Sequence, residues 1–376
     1  MMKASLYVHI PFCMSRCAYC DFASTAGLDR SWQGRYLSSV LREWELYRET
    51  GAAGVWGTAY FGGGTPTYLD EDILEGIFAG LGFPDGNTSE FTVEANPGTL
   101  NGSKLNMLLR KGCGRLSVGA QSFDDRYLSW LGRKHTAEGF QQAWDMARTA
   151  GFTNMNLDLL YGLPDQSPGH WRETLRLALA YQPEHISLYQ LNIEEGTPLA
   201  ALAASGGKCA ADEEICRQQY VLAHQFLTGE GYLHYEISNY AKPGFESRHN
   251  THYWRNGHYL GLGAGASGYL PGLRYRNKDD LNGYIMDLDS GALPVAEEEV
   301  IDGKLVLAEE LMLAFRLREG VLKKAFQERH GFSLRERFGL ILDRRLEEGL
   351  LEEDEDSLRP TLKGWLAYNG WIPDFL

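Results

Sequence analysis

Three cysteines stand close together near the start of the chain, in the segment CMSRCAYC. Cys13, Cys17 and Cys20 follow the spacing Cys-x3-Cys-x2-Cys directly after a β-rich run. Thiolates ligate both zinc and iron–sulfur clusters, but structural zinc takes four ligands and would need a distant histidine here. Three thiolates on a [4Fe–4S] cluster would leave one iron free for an exogenous ligand. A third interpretation, a chance group of core cysteines, conflicts with the arginine and tyrosine in the same loop.

Strands and helices alternate along the first half of the chain. Apolar residues recur at i, i+3 and i+4 most clearly at 31–49 and 139–151, and a glycine closes the second segment. This alternation predicts βαβ units and a parallel sheet. The predicted strands are 5–10, 58–63, 90–95, 115–120, 155–162 and 185–191.

The residues able to do chemistry lie at the carboxyl ends of these strands or in the loops that follow. A doubly wound sheet concentrates its site at one switch point, whereas a barrel uses many strand ends. Because several strands contribute here, the sequence predicts an α/β fold built on a partial (βα)6 TIM-like barrel.

The pattern changes twice after the predicted barrel. We predict that residues 1–230 form the barrel and that 231–296, rich in Gly, Tyr and His, form loops with short strands. Residues 297–376 are charged and helical, with a hairpin pattern typical of a smaller, winged-helix-like α+β domain. Its acidic wing argues against reading DNA, and a lid or packing role is expected.

Composition limits the classes of function. The formal net charge is −14 and the pI about 5.2, so phosphate backbones should repel the chain and no nucleic-acid partner is expected. An apolar run of about 18 residues, which a transmembrane helix needs, is not found, nor is a signal-peptide pattern. We expect a cytoplasmic protein whose Cys113, Cys209 and Cys216 are buried and unpaired.

The motif CxxxCxxC after the first strand of a βα repeat resembles the radical S-adenosylmethionine (SAM) superfamily. The resemblance implies that SAM chelates the open iron through its amino and carboxylate groups. An electron from the reduced cluster would then cleave the sulfonium, giving methionine and a 5′-deoxyadenosyl radical. In such proteins the cofactor carries the difficult chemistry, and the chain binds and orients it.

Polar residues on successive strands would complete a SAM site. The glycines of YFGGGTPT allow close backbone approach, and the amides of such a turn favour a carboxylate. A carboxylate inside an apolar strand, as at Glu94 and Asp158, is costly unless paired; a core ion pair is the alternative role of Glu94. The guanidinium of Arg133 can donate two parallel hydrogen bonds to one carboxylate. We predict SAM contacts at Gly63, Gly64, Thr65, Glu94, Gln121, Arg133 and Asp158.

Within that superfamily, the chain resembles most closely the oxygen-independent coproporphyrinogen III oxidase group. The match of LYVHIPFC implies that Tyr7 lies near the SAM sulfonium and His9 near the cluster, and Tyr19 would contact adenine. The true oxidases carry a further cysteine where this chain has Phe22, and they have a long N-terminal extension that is not seen here. Both departures favour the shorter haem-chaperone branch of the group.

The segment HNTHYW, residues 249–254, matches a motif of that branch. Imidazole is a common iron ligand, so His249 first and His252 second are candidate haem ligands. The alternative is that His249 and Asn250 only join a loop to the barrel mouth.

Three functions stay open, and they differ on whether the protein is an enzyme. The first is a haem chaperone that binds a [4Fe–4S] cluster and SAM and delivers haem to membrane respiratory enzymes. Its partners would be haem, haem-accepting respiratory proteins and a haem donor, and transient membrane association and a homodimer are compatible with it. The second is an oxygen-independent coproporphyrinogen III oxidase that acts through a 5′-deoxyadenosyl radical. The third is a zinc-stabilised structural protein.

Overall fold

The structure is a computed structural model and describes residues 4–49, 51, 56–83 and 88–375. Residues 1–3, which belong to the stretch without a signal-peptide pattern, lie outside the described residues. The described strands are β1 Ser5–Ile10, β2 Phe12–Cys13, β3 Thr25–Ala26, β4 Thr58–Gly63, β5 Glu90–Ala95, β6 Arg115–Gln121, β7 Met155–Tyr161, β8 His185–Gln190, β9 Leu233–Glu236, β10 Asn239–Ala241, β11 Tyr259–Leu262, β12 Ser267–Leu270, β13 Leu273–Asn277, β14 Val295–Val300, β15 Val321–Leu322, β16 Leu351–Glu353 and β17 Ser357–Pro360.

The helices lie mainly between these strands and cover the outer face of the sheet. In the described part of the chain they are α1 Arg30–Glu49, α2 Glu71–Gly80, α3 Gly102–Arg110, α4 Asp125–Trp130, α5 Ala137–Ala150, α6 Pro168–Ala180, α7 Pro198–Ala204, α8 Glu213–Gly229, α9 Arg248–Trp254, α10 Leu281–Asp289, α11 Gly303–Ala314, α12 Lys323–His330, α13 Leu334–Glu347, α14 Leu362–Leu366 and α15 Tyr368–Trp371. Among them, none has both the length and the hydropathy needed to cross a membrane.

The main sheet has the strand order β14-β13-β12-β11-β1-β4-β5-β6-β7-β8-β10-β9. All six predicted strands are present, and neighbours along the chain pair in parallel. β11 also pairs in parallel with β1, so one more strand joins the parallel run than the sequence predicted. The region expected to hold loops and short strands therefore extends the barrel sheet at both of its edges.

The central strands alternate apolar and polar residues. In β6, Leu116 and Val118 are fully buried in the main hydrophobic core, between the sheet and its helices. Arg115 and Ser117 of the same strand line a cavity inside the barrel. Parallel strands covered on both faces are usually apolar throughout, and unpaired polar groups are costly there. The polar inner face is therefore the feature of the fold that builds a site.

The C-terminal part of the chain has a core of its own. Phe315, Phe326 and Trp371 are buried in it, surrounded by α11 to α13 and the sheet β15-β17-β16. This order of helices followed by a hairpin is that of a winged helix. The module packs against the barrel near β9 and α9, where the Arg316 guanidinium lies 4.3 Å from the ring centroid of Trp254.

Candidate cofactor site

A cavity of about 530 Å³ extends from the cysteine loop into the barrel. Its wall runs from the exposed side chains of Met14 and Phe22 to the buried Arg115. Residues far apart in sequence converge here because parallel strands present their carboxyl ends at one edge of the sheet. The predicted site residues that line the cavity are Cys13, Cys17, Tyr19, Cys20, Gly63, Gly64, Thr65, Glu94, Gln121, Arg133 and Asp158.

The cysteines of the loop are free thiols, half-buried on the cavity wall. Burial raises the pKa of Cys13 and raises that of Cys20 to about 11, so at neutral pH both need a metal or cation to ionise. Arg133 brings a positive charge, with Nη1 3.7 Å from the Cys17 sulfur. Its Nε is buried with no partner among the described residues. The loop is therefore built to hold negative charge.

The ligand sets of structural zinc and of an iron–sulfur cluster differ in how well they match the three thiols of the loop. In the described part of the chain, no three His, Cys, Asp or Glu side chains are arranged to hold a single metal ion. Structural zinc takes four ligands, whereas a [4Fe–4S] cluster binds each thiolate through a different iron. Three cysteines in one loop therefore match the protein ligand set of a cluster more closely than that of a structural zinc ion.

The glycine-rich loop after β4 packs directly against the cysteine loop. The amide of Gly64 donates to the Ile10 carbonyl at 2.9 Å, and that of Thr65 donates to the Phe12 carbonyl at 2.8 Å. These two amides are therefore used inside the protein, so a contact of Gly64 or Thr65 with the carboxylate of SAM would involve other atoms of the loop. The Thr65 hydroxyl lies 3.7 Å from the Cys13 sulfur. This loop positions the first cysteine.

We expect Gly64→Ala to destabilise the fold by about 1–3 kcal/mol and to lower cluster content, because of overpacking. A Cβ at Gly64 would lie 2.7 Å from the Phe12 carbonyl oxygen and 3.0 Å from the Cys13 sulfur. Denaturant unfolding and iron content would measure both effects. Gly98→Ala, in the same cavity, is the control, because its Cβ would meet nothing nearer than 3.8 Å. Equal stability of the two variants would contradict the expectation.

Two carboxylates, Glu94 and Asp158, face the cavity from β5 and β7, the strands on either side of β6. Glu94 accepts a hydrogen bond from the Tyr60 hydroxyl at 2.7 Å, and burial raises its pKa to about 7. Asp158 accepts from the Asn156 amide at 2.7 Å and from the Ser117 hydroxyl at 3.3 Å, and burial raises its pKa too. Among the described residues, neither has the tight ion pair that a purely structural carboxylate would need. They can therefore accept from, or donate to, a ligand in the cavity.

Gln121 and Tyr19 reach the cavity by different means. Gln121 has a left-handed backbone, with φ of 64°, at a point where the pairing of β6 with β7 shifts register. That strained conformation turns the end of the strand and re-aims the side chain. Tyr19 packs against a small apolar cluster that includes Leu131 and Leu160. The packing fixes its ring beside the cysteines.

Tyr7 and His9 lie behind the cysteine loop rather than on the cavity wall. The Tyr7 hydroxyl lies 2.9 Å from His9 Nδ1, and His9 Nε2 lies 2.7 Å from the Ala23 carbonyl. Since the carbonyl can only accept, Nε2 carries the proton and Nδ1 accepts from Tyr7. Burial lowers the pKa of His9, which keeps the ring neutral. These hydrogen bonds connect β1 with Ala23, which follows the last cysteine of the loop.

The two candidate haem ligands lie in the core and do not line the cavity. His249 Nδ1 is 2.7 Å from the Thr58 hydroxyl, and Nε2 is 2.7 Å from the Tyr253 hydroxyl. His252 Nε2 is 2.8 Å from the His258 carbonyl. Because both nitrogens of His249 are occupied and its side chain is 1% exposed, the geometry argues against the predicted iron ligation. It agrees with the alternative that the motif joins α9 to the barrel.

Further polar residues on the inner face of the barrel sheet complete the cavity wall. They are not among the site residues predicted from the sequence. The signal was present as a period of two in RLSVGAQ and MNLDLLY, where every second residue is polar or glycine at the start of each strand. This alternation predicts strands, and its polar positions also mark the residues that face the cavity. Such wall residues on the strands include Tyr60, Arg115, Ser117, Asn156, Ser187 and Tyr189, and Lys134 adds a cation from the loop after α4.

Fold and site together define a protein of the radical SAM class. The "Radical SAM superfamily" family model matches residues 7–178, and the "HemN C-terminal domain" model matches residues 301–367. The solved structure of coproporphyrinogen III oxidase (HemN) from Escherichia coli matches with a TM-score of 0.85 at 22% identity, covering 100% of this chain and 90% of that one. The predicted barrel with a smaller C-terminal domain is thereby confirmed.

Proteins of similar sequence identify the family within the radical SAM superfamily. Heme chaperone HemW of Bacillus subtilis is 35% identical, with 99% of this chain and 99% of the relative covered. HemW of Lactococcus lactis is 33% identical over 99% of this chain and 97% of its own. HemW of Escherichia coli is 38% identical over 70% of this chain and 69% of its own. The chain belongs to the HemW family of the radical SAM superfamily, and that superfamily implies a [4Fe–4S] cluster and SAM.

Proposed function

We propose that this protein is a haem chaperone that holds a [4Fe–4S] cluster and SAM and delivers haem to respiratory haem proteins. The observation that carries the proposal is the similarity, over nearly the whole chain, to proteins named heme chaperones. The oxidase HemN matches at 22% identity, which speaks for the fold alone. Phe22, where the oxidases carry a further cysteine, is 59% exposed beside the cavity and supports the same choice.

In this proposal Cys13, Cys17 and Cys20 hold the cluster. Residues of the cavity wall next to the cysteine loop hold SAM. When bound, the cluster would supply an electron-transfer centre for chemistry on SAM. Arg133 stabilises the thiolate of Cys17 and offers its remaining donors to a carboxylate. The residues proposed to hold SAM are Tyr7, Tyr19, Gly63, Gly64, Thr65, Glu94, Gln121, Arg133 and Asp158, of which Tyr7, Gly64 and Thr65 act by shaping the loops.

The proposed partners follow from cargo delivery. Haem is hydrophobic and would be passed directly from a haem donor to haem-accepting respiratory proteins, with transient contact at a membrane. A homodimer and a cytoplasmic location are part of the same proposal. The exposed side chains of Met14, Phe22 and Tyr189 at the cavity supply apolar surface that a porphyrin face could cover. Nucleic acid is not among the proposed partners, given the net charge of −14.

We expect purified, cluster-loaded protein to bind haem and to form no protoporphyrinogen. Two anaerobic incubations test this, one with haem and one with coproporphyrinogen, each with SAM and a reductant. Haem binding should shift the Soret band. His249→Gln should bind haem with the same Soret position as the wild type, because both ring nitrogens are already used inside the protein.

Two results would contradict these expectations. Turnover of coproporphyrinogen by the wild type, absent in Cys17→Ala, would support the oxidase alternative. A changed Soret position in His249→Gln, in protein that unfolds at the wild-type denaturant concentration, would restore the histidine as an iron ligand.

A further inference from the structure

We propose that Arg115 and Asn250 form a carboxylate-binding subsite in the barrel interior, and that it takes a propionate of the tetrapyrrole cargo. The inference rests on the proposed function and gives it a recognition site. The subsite is distinct from the cysteine loop, because Arg115 begins β6 whereas the loop follows the opposite ends of the strands.

Arg115 is a buried cation that forms no ion pair with any residue the structure describes. Its side chain is 2% exposed, yet it lines the cavity, and its Nε makes no hydrogen bond to any described residue. No carboxylate of the described residues forms an ion pair with it. An unpaired buried guanidinium costs several kcal/mol unless an anion or water completes it. The position is therefore unfavourable for folding alone and suits a ligand that brings negative charge.

Two uncharged residues carry further polar groups in this part of the barrel, and of the two Asn250 lines the cavity. Thr92 pairs with Arg115 across β5 and β6, and its fully buried hydroxyl is also unpartnered among the described residues. Asn250 lines the cavity from α9, and none of the described residues hydrogen bonds to its side-chain amide. The HNxxYW segment thus contributes an asparagine to the cavity while its first histidine anchors the helix.

The titratable groups around Arg115 interact with it without forming an ion pair among the described residues. Glu94 and Asp158 lie on the adjoining strands; burial raises the pKa of each carboxyl, to about 7 for Glu94, and the guanidinium opposes that rise. His185 and His249 also face Arg115, and burial lowers the pKa of both rings. The guanidinium therefore keeps donors that can pair directly with a carboxylate of a ligand.

A carboxylate could come from either of two ligands, the haem propionates or the methionyl end of SAM. The cysteine loop, with Arg133, already offers a place for SAM at the other end of the cavity. Haem carries two propionates on an apolar ring, and the cavity joins apolar surface at Met14 and Phe22 to the cation at Arg115. The distribution of charge and apolar surface therefore favours the haem propionates as the source of the carboxylate at Arg115.

Binding of haem and of haem dimethyl ester, in which both propionates are blocked, tests the subsite. Wild-type protein should bind haem about 10- to 100-fold more tightly than the ester, as expected for a charged hydrogen-bonded pair. Arg115→Gln should bind both equally, and Arg115→Lys should keep part of the preference. Asn250→Asp, which adds a negative charge but leaves Arg115 in place, should weaken haem and spare the ester. Arg335→Gln, an exposed arginine of the C-terminal module, is the control.

The outcomes separate the subsite from the proposed function. Equal wild-type affinity for haem and ester, or an undiminished preference in both Arg115→Gln and Asn250→Asp, would overturn the subsite and leave haem binding intact. Loss of SAM binding in Arg115→Gln with haem discrimination retained would also overturn it, by assigning the cation to SAM. Failure of the wild type to bind either porphyrin would overturn the proposed function and the subsite together.

Discussion

Replacing Cys17 with alanine is expected to remove the iron–sulfur cluster while the barrel stays folded. Three thiolates are the whole protein ligand set of the proposed cluster, so loss of one leaves two irons without protein ligands. Cys17 is half-buried at the cavity and packs in no hydrophobic core of the described residues, so little stability depends on it. Anaerobically reconstituted variant should retain less than about a tenth of the wild-type iron and acid-labile sulfide.

Cys209→Ala is the matched control for this loss. Cys209 is a buried member of the apolar cluster beneath the cysteine loop, and it does not line the cavity. Its substitution should cost some stability and leave the cluster intact. Wild-type iron and sulfide in Cys17→Ala would contradict the cluster assignment, and so would zinc without sulfide in the wild type.

Local sequence features encode the cofactor end of the site, which is why it could be predicted. The cysteine spacing is set within eight residues, and each strand of the barrel is marked by its own β-rich run. Once the strands are parallel, their carboxyl ends must meet at one edge. Glu94, Gln121 and Asp158 therefore fall on one cavity even though no pattern joins them along the chain.

The missed features depend on pairings between distant segments. His249 bonds to Thr58, which is 191 positions away, and nothing near the histidine signals that both of its nitrogens are used. The amides of Gly64 and Thr65 are used by carbonyls of β1 and β2, which only the packing of the two loops decides. The burial of Glu43 could not be predicted from the sequence for the same reason. A glutamate on an amphipathic helix suggests a solvent-exposed face, yet this side chain is 0% exposed.

Replacing Glu43 with alanine is expected to lower the free energy of unfolding by about 3–5 kcal/mol, because three buried donors would lose their acceptor. The carboxylate accepts from the Asn277 amide at 2.6 Å, the Gly263 amide at 2.8 Å and the Tyr284 hydroxyl at 2.6 Å. These bonds join α1 to the β11–β12 loop and to α10. Denaturant unfolding monitored by tryptophan fluorescence would measure the change.

Glu45→Ala provides the control on the same helix. Glu45 is 59% exposed and its ion pair with Arg42, at 3.3 Å, lies in solvent, so its removal should cost no more than about 0.5 kcal/mol. A cost for Glu43→Ala as small as that for Glu45→Ala would show that the buried network is not a significant source of stability.

The pH dependence of the free energy of unfolding distinguishes the effect of the charge of Glu43 from the effect of its packing. Burial raises the pKa of Glu43 from 4.5 to about 7. Because the folded state binds the proton more tightly than the unfolded chain, the stabilising contribution is complete below about pH 4.5 and is lost as pH rises through about 7. Glu43→Gln cannot titrate, so the stability of wild type relative to it should fall by about 3 kcal/mol between pH 4.5 and pH 8. Glu94 and Glu236, whose pKa values burial also raises to about 7, are present in both proteins and cancel in the comparison. A difference that does not change with pH would assign the role of Glu43 to packing alone.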